Sequence, residues 1–278
     1  MEPAERTAKS LAPKPLRTKP RRARSGRPRR FDWIIEHLLA EGLIAGAILG
    51  WWLLSLGLPD YVMPGPLTVA EALVQLFIDA EFLRHTISST VRVVTSVIVS
   101  VVLGWALAQL PLRYPIAQVI VHDRIKPFLN SFPSVGWAIL AVIWFGTSDT
   151  SIVFVEVAIL TPFCLVNISE GLRELDRDLV EMGRSFTRKR LRTFFKITVP
   201  LLMPYVMAAV RIAYGVGWKI ALVAELFGAE TGLGFLMQRA QTLADAATVF
   251  ATCFAIVLIF FLGEKLVIDP LARRFQHR

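Results

Sequence analysis

Residues 170–200 read EGLRELDRDLVEMGRSFTRKRLRTFFKITVP and stand between two apolar runs, at about 151–168 and 205–228. The stretch is too charged to sit in hydrocarbon, yet it is patterned. Leu172, Leu175, Leu179, Met182 and Phe186 step by three and four residues, the stripe of an amphipathic helix. Arg173, Glu174, Arg177, Asp178, Glu181 and Arg184 occupy its other face. A break is expected at about Thr187. A second helical segment follows, with Arg188, Lys189, Arg190 and Arg192 in front and Leu191, Phe194 and Phe195 behind. Pro200 and Pro204 then lead into the next apolar run.

The second segment has an electrostatic cost. Three consecutive cations lie in its first turn, at the positive end of the helix dipole, where each costs ~0.3–1 kcal/mol. A partner offering carboxylates or polar groups there would offset that cost. Two readings remain on pattern alone: a loop held on one side of a membrane by its positive charge, and a docking element for a soluble partner.

Outward from this loop the chain is apolar. It has 278 residues, 54% of them hydrophobic, and a mean hydropathy of +0.54. Six apolar segments are expected, at about 38–57, 87–110, 127–146, 151–168, 205–228 and 247–268. Most reach the ~20 residues a helix needs to cross ~30 Å of hydrocarbon. Pro127 and Pro133 interrupt the third and Pro162 lies inside the fourth. Such breaks persist only where protein or a cavity satisfies the freed backbone groups, which places these helices toward the bundle interior.

Charge orients the segments. Of 31 Lys and Arg, eleven lie in residues 1–30, against two acids, Glu2 and Glu5. With the basic residues of 111–126, 169–200 and the C-terminus, 26 fall on one side of a six-span arrangement. Only Arg84 and Arg239 fall on the other, a positive-inside pattern with both termini cytoplasmic. The tail 1–30 has no apolar periodicity and is expected to be a disordered cytoplasmic segment. Its neighbour is anionic lipid rather than nucleic acid. Residues 58–82 open with a turn-rich stretch. Leu67, Ala70, Leu73, Val74 and Phe77 then mark a short amphipathic helix on the outer face.

Several chemistries find no support. Cys164 and Cys253 both fall in apolar runs, so no disulfide framework is implied. The four histidines have no ligand spacing, and no metal or cofactor is expected. There is no H-E-x-x-H, no G-x-S-x-G and no P-loop; the dipeptide Gly-Lys does not occur. Any ATP-driven step therefore belongs to another polypeptide. A non-transport membrane protein, either an enzyme or a signalling or scaffold subunit, is the alternative. The enzyme would need a polar constellation near one membrane face, and a scaffold would have no use for a spaced loop signature.

The loop resembles the signature of binding-protein-dependent ABC importer permeases, which runs Glu-Ala-Ala, three residues, Gly, nine residues, then Ile-x-Leu-Pro. Glu181, Met182 and Gly183 stand at Glu-Ala-Ala, Thr187 at the Gly, and Ile197, Val199 and Pro200 at the end. Thr lacks the positive-φ freedom of Gly, so the turn departs from the family's geometry, with Thr187 placed to cap the second helix. Further pieces are similar to the branch that imports aliphatic sulfonates, taurine or nitrate. They are Leu58-Pro and Pro64-Gly-Pro, Ser131-Phe-Pro-Ser-Val-Gly-Trp-Ala with Ile143-Trp-Phe-Gly, Arg211-Ile-Ala with Val223-Ala-Glu225, and Thr231-Gly-Leu-Gly-Phe.

The resemblance covers about 58–275 and implies an all-α, polytopic membrane bundle of about six transmembrane helices. A cytoplasmic helix-turn-helix coupling loop at about 170–200 would join two of them. It implies an inner-membrane permease, residues 31–278, that is not an enzyme. Its partners would be separate ABC ATPase subunits, an extracytoplasmic solute-binding protein and a second copy of itself. Glu181, Met182, Gly183, Thr187, Arg188, Ile197 and Pro200 would dock the ATPase.

Charges inside the spans are expensive, about 2.5–3.5 kcal/mol each at mid-membrane. Glu41, Arg92, Glu156, Arg211, Lys219 and Glu225 are of this kind. Arg211 and Lys219 are eight residues apart, near one helix face, and could line a path for a small anion together with Glu156 and Glu225. The other reading is a structural pair, Arg211 or Lys219 with Glu225 or Glu156.

Overall fold

A computed structural model describes residues 30–175, 182 and 194–276. Glu181, Gly183, Thr187 and Arg188 of the expected docking loop lie outside the described residues, as does the tail 1–29. Among the described residues, five helices are long and apolar enough to cross a membrane, and a sixth if one sharply bent pair is a single span.

The chain divides into two units at Gly50. The first is described from Arg30 and is helical; its side chains from Leu38 to Leu49 are exposed and nearly all apolar. This is the body of α1 (Arg30–Ser55), whose last turn belongs to the second unit.

In the second unit, Trp51 is a packing residue. Its indole Nε1–H donates to the Pro64 carbonyl at 3.0 Å, and its ring stacks on Phe250 and Phe254. Pro66, whose missing N–H costs nothing at a helix start, opens α2 (Pro66–Ile78). The expected helix is present. Of its apolar stripe Leu73 turns inward, together with Val69 and Leu76, whereas Leu67, Val74 and Phe77 are exposed.

The Asp79 side chain accepts the Glu81 N–H at 2.9 Å and caps α3 (Ala80–Arg113). α3 carries one buried stripe: His85, Ser89, Arg92, Ser96, Ser100, Gly104 and Ala108. After it comes the bent pair, α4 (Ile116–Ser131) and α5 (Ser134–Phe145), which meet at 89°. Phe132 and Pro133 between them are extended, as the residue before a proline prefers. The third expected span is thus two helices around Pro133. Residues 119–125 of α4 are π-helical.

α5 ends at Gly146, φ +69°. The Ser148 hydroxyl then accepts the Ser151 N–H and caps α6 (Asp149–Glu174). Pro162 is buried inside α6, in the interior position expected of it. Helix continues past the apolar run to Glu174, and Leu175 is no longer helical; Leu179 and Phe186 of the expected stripe lie outside the described residues. α7 (Phe194–Gly228) starts earlier than its apolar run, with Pro200 in its first α-helical turn and Pro204 within it. A π-helical segment, Phe194–Thr198, precedes them. A short α8 (Leu233–Thr242) and α9 (Ala246–Gly263) follow, and a π-helical Glu264–Ile268 leads into α10 (Asp269–Gln276).

The core is the triple contact of α3, α6 and α7, with α8 and α9 packed at its side. Small residues set the approach. A Cβ on Gly104 would lie 2.7 Å from Cys164 Cβ, and one on Gly171 would enter the Tyr205 ring.

Candidate functional site

Two arrangements of charge stand out, one closed and one open. The closed one surrounds Glu225, near the end of α7. Gly232 has φ +116°, and a Cβ there would collide with the Glu225 carboxyl. Only glycine permits this wrap, in which Thr231-Gly-Leu-Gly turns three successive N–H groups onto His85, Ser89 and the Glu225 carboxylate. Gly234 N–H donates to Glu225 Oε2 at 2.9 Å, and Leu233 N–H donates to Ser89 Oγ at 2.9 Å. Ser89 passes its own proton to Glu225 at 2.7 Å. Gly232 N–H donates to His85 Nδ1 at 2.9 Å, so the imidazole proton sits on Nε2, 3.7 Å from Glu81 Oε1.

Arg92 completes the cluster. Its Nη1 donates to Glu225 Oε1 and to the Thr231 carbonyl, both at 2.7 Å. Its Nη2 reaches Thr231 Oγ1 at 2.6 Å, and its Nε reaches Asp149 Oδ1 at 2.8 Å. Arg92 is 5% exposed and Glu225 1%, whereas Asp149, in the first turn of α6, is 78% exposed. The guanidinium therefore fastens α3 to the start of α6, the end of α7 and the turn into α8. A planar five-donor fork can make all of these bonds at once, and an ammonium cannot.

Glu225 is consequently paired with Arg92, not with Arg211 or Lys219. Glu156 is fully buried on α6, and neither of its oxygens is hydrogen-bonded; Ser96 of α3 stands beside it outside hydrogen-bonding geometry. Neither carboxylate is on an open surface. Both belong to the packed face of α3, α6 and α7.

The open arrangement is on α7's other side. A cavity of about 650 Å³ runs between α7 and α9, and Arg211 and Lys219 both line it, so the two cations do share a face. Arg211 is neutralised by Asp269, with Glu264 Oε1 3.8 Å away. Lys219 is exposed and enters none of the ion pairs among the described residues. It lies nine residues before the end of α7, about 14 Å along the axis, within a helix long and apolar enough to cross a membrane.

Of the expected docking residues, Met182 is helical with an exposed side chain, Ile197 is half-buried and Pro200 is exposed. Close by, Tyr205 hydrogen-bonds Glu174, tying the start of α7 to the end of α6. The roles of His85, Ser89 and Asp149 were missed by sequence reasoning, and Thr231 figured only as part of a resemblance. For His85 and Ser89 the signal was the four-three-four-four spacing of polar residues along α3; Asp149 and Thr231 lie outside that helix.

Comparison with known proteins bears on the whole arrangement. Residues 100–276 match the family described as binding-protein-dependent transport system inner membrane component. The chain is 28% identical over 223 residues to a probable ABC transporter permease protein of Brucella melitensis, covering 80% of this chain and 90% of that one. It is 29% identical over 235 residues to the taurine transport system permease protein TauC of Escherichia coli K12, covering 81% and 84%. It is 25% identical over 260 residues to the putative aliphatic sulfonates transport permease protein SsuC of Bacillus subtilis 168, covering 92% and 90%.

Proposed function

The chain belongs to the family of inner-membrane components of binding-protein-dependent transport systems, and from that premise we propose that it carries a small solute with an anionic head, of the sulfonate or taurine type. It is the multi-pass permease subunit of an ABC importer in the inner membrane, working with an ATPase and a solute-binding protein. It is a transport subunit and not an enzyme.

The observation that carries the anion reading is Lys219, an unpaired ammonium at membrane depth on the wall of the α7–α9 cavity. Names of relatives that handle taurine and aliphatic sulfonates agree with it. A second copy of the chain would face this cavity across a twofold axis, with Arg211 and Lys219 from each side along the path. Glu225 and Glu156 act behind that path, holding the helices that form it.

Glu181, Met182, Gly183, Thr187, Arg188, Ile197 and Pro200 dock the ATPase on the cytoplasmic side. The Glu174–Tyr205 bond and the Gly171 contact brace the two ends of that segment. Both termini are cytoplasmic, and the basic tail 1–30 lies against anionic lipid.

Docking is tested by co-purification. Tagged permease retains its ATPase, and Glu181→Lys lowers the retained amount at least about tenfold, the loss expected when a charge meets its like. Undiminished ATPase with the variant overturns the docking assignment.

A further inference from the structure

The lining of the α7–α9 cavity is unequal in a way that selects among organic anions. Among the described residues, Lys219 supplies its one unneutralised charge and no carboxylate lines it. The remaining wall is largely carbon, from Val216, Leu222, Ile256, Val257 and Phe260, over a floor at Gly215 where a Cβ would have its nearest neighbour 3.9 Å away. The volume, about 650 Å³, is within the range of small-molecule sites.

We infer that this cavity is a binding subsite for an alkanesulfonate-type anion. The anionic head meets Lys219, and the short apolar tail lies along Ile256, Val257 and Phe260. The inference rests on the transport reading and narrows its substrate. A zwitterion such as taurine has an ammonium that nothing in this lining would pair, so it is disfavoured. A bare inorganic anion leaves the apolar wall unused.

Two other occupants fit less well. Lys219 lies about 14 Å inside the end of α7, deeper than an anionic lipid headgroup sits. A second copy packed directly on this face by twofold symmetry would bring its own Lys219 toward the first, since such interfaces are self-complementary. Two ammoniums there call for an anion between them.

The chain carries its own reporter. Cys253 lines the cavity and is exposed, while the other cysteine, Cys164, is buried. The permease, with its ATPase and solute-binding protein, is reconstituted in vesicles of neutral lipid. Cys253 is labelled with a sulfonate-bearing and a trimethylammonium-bearing methanethiosulfonate. The sulfonate reagent is expected to react about tenfold faster, the effect of one favourable charge contact. Lys219→Gln reduces that preference to within about twofold. Millimolar butanesulfonate protects Cys253, taurine does not, and Gly215→Leu abolishes the protection by filling the floor.

Equal rates for the two reagents in the wild type, or equal protection by taurine, overturn the inference. So does a Cys253 that neither reagent reaches, with disulfide cross-linking between copies or tightly retained anionic lipid showing what covers it. ATP-driven butanesulfonate uptake is measured in the same vesicles. Uptake without protection removes the subsite and leaves the transported class standing. Protection without uptake of any sulfonate keeps the subsite and removes the proposed cargo.

Discussion

Arg92 and Glu225 sit 133 positions apart in the sequence and share a hydrogen bond of 2.7 Å. Removing one partner strands the other as a buried, uncompensated charge, which costs about 3–5 kcal/mol. Arg92→Ala is therefore expected to lower stability by about that much. Arg92→Lys recovers only part of it, because a point charge cannot reach Asp149, Glu225 and Thr231 together. Asp149→Asn, at the exposed end of the network, costs less, about 1 kcal/mol. Thermal unfolding in detergent checks the ranking, with Cys253 blocked and the appearance of the buried Cys164 thiol as the signal. Equal transitions for Arg92→Ala and the wild type would rule out the clamp.

Helix pairs in a membrane have little hydrophobic drive between them and depend on close packing of small residues. Gly104 of α3 is the tightest such point against α6, with a would-be Cβ 2.7 Å from Cys164 Cβ and 2.9 Å from the Leu165 backbone nitrogen. Gly104→Val is expected to cost about 1–3 kcal/mol by pushing the helices apart. Gly215→Ala on α7, facing open space, is expected to stay within about 0.5 kcal/mol of the wild type. The same thermal assay compares the two; an undestabilised Gly104→Val would contradict the crossing. Breaks at this scale also have a local cause. Pro133 separates α4 from α5 because the residue before it is held extended. Pro162 is tolerated inside α6, a buried helix.

The distribution of basic residues acts on the whole molecule. The proposed placement of both termini in the cytoplasm follows the positive-inside rule and is tested on intact cells. In a Cys253→Ser background, a membrane-impermeant thiol reagent is expected to label Asp60→Cys and to miss Ser25→Cys. Labelling of Ser25→Cys and sparing of Asp60→Cys would reverse the assigned topology. In this proposed topology the bent pair at Pro133, α4 and α5, counts as one span.

Much of this protein was legible in the 170–200 stretch and its surroundings. The apolar runs follow from composition and spacing, since an apolar run of ~20 residues has few stable states other than a membrane helix; the loop signature rests on a resemblance. Arg211 and Lys219 share a face because 3.6-residue periodicity puts them there. What periodicity could not give was which face of each helix looks inward, or who neutralises whom. Of the apolar stripe of α2 Leu73 turns inward while Leu67, Val74 and Phe77 are exposed, because an apolar residue near a membrane has two acceptable directions, toward protein and toward lipid. Glu225 found Arg92 rather than the nearer cations of its own helix because Gly232 and Gly234 let the turn into α8 close over it. Only after Arg92 had taken Glu225 and Asp269 had taken Arg211 did Lys219 stand out as unpaired. That is a property of the packed chain, since pairing depends on distances between helices, and sequence spacing records distances only along one.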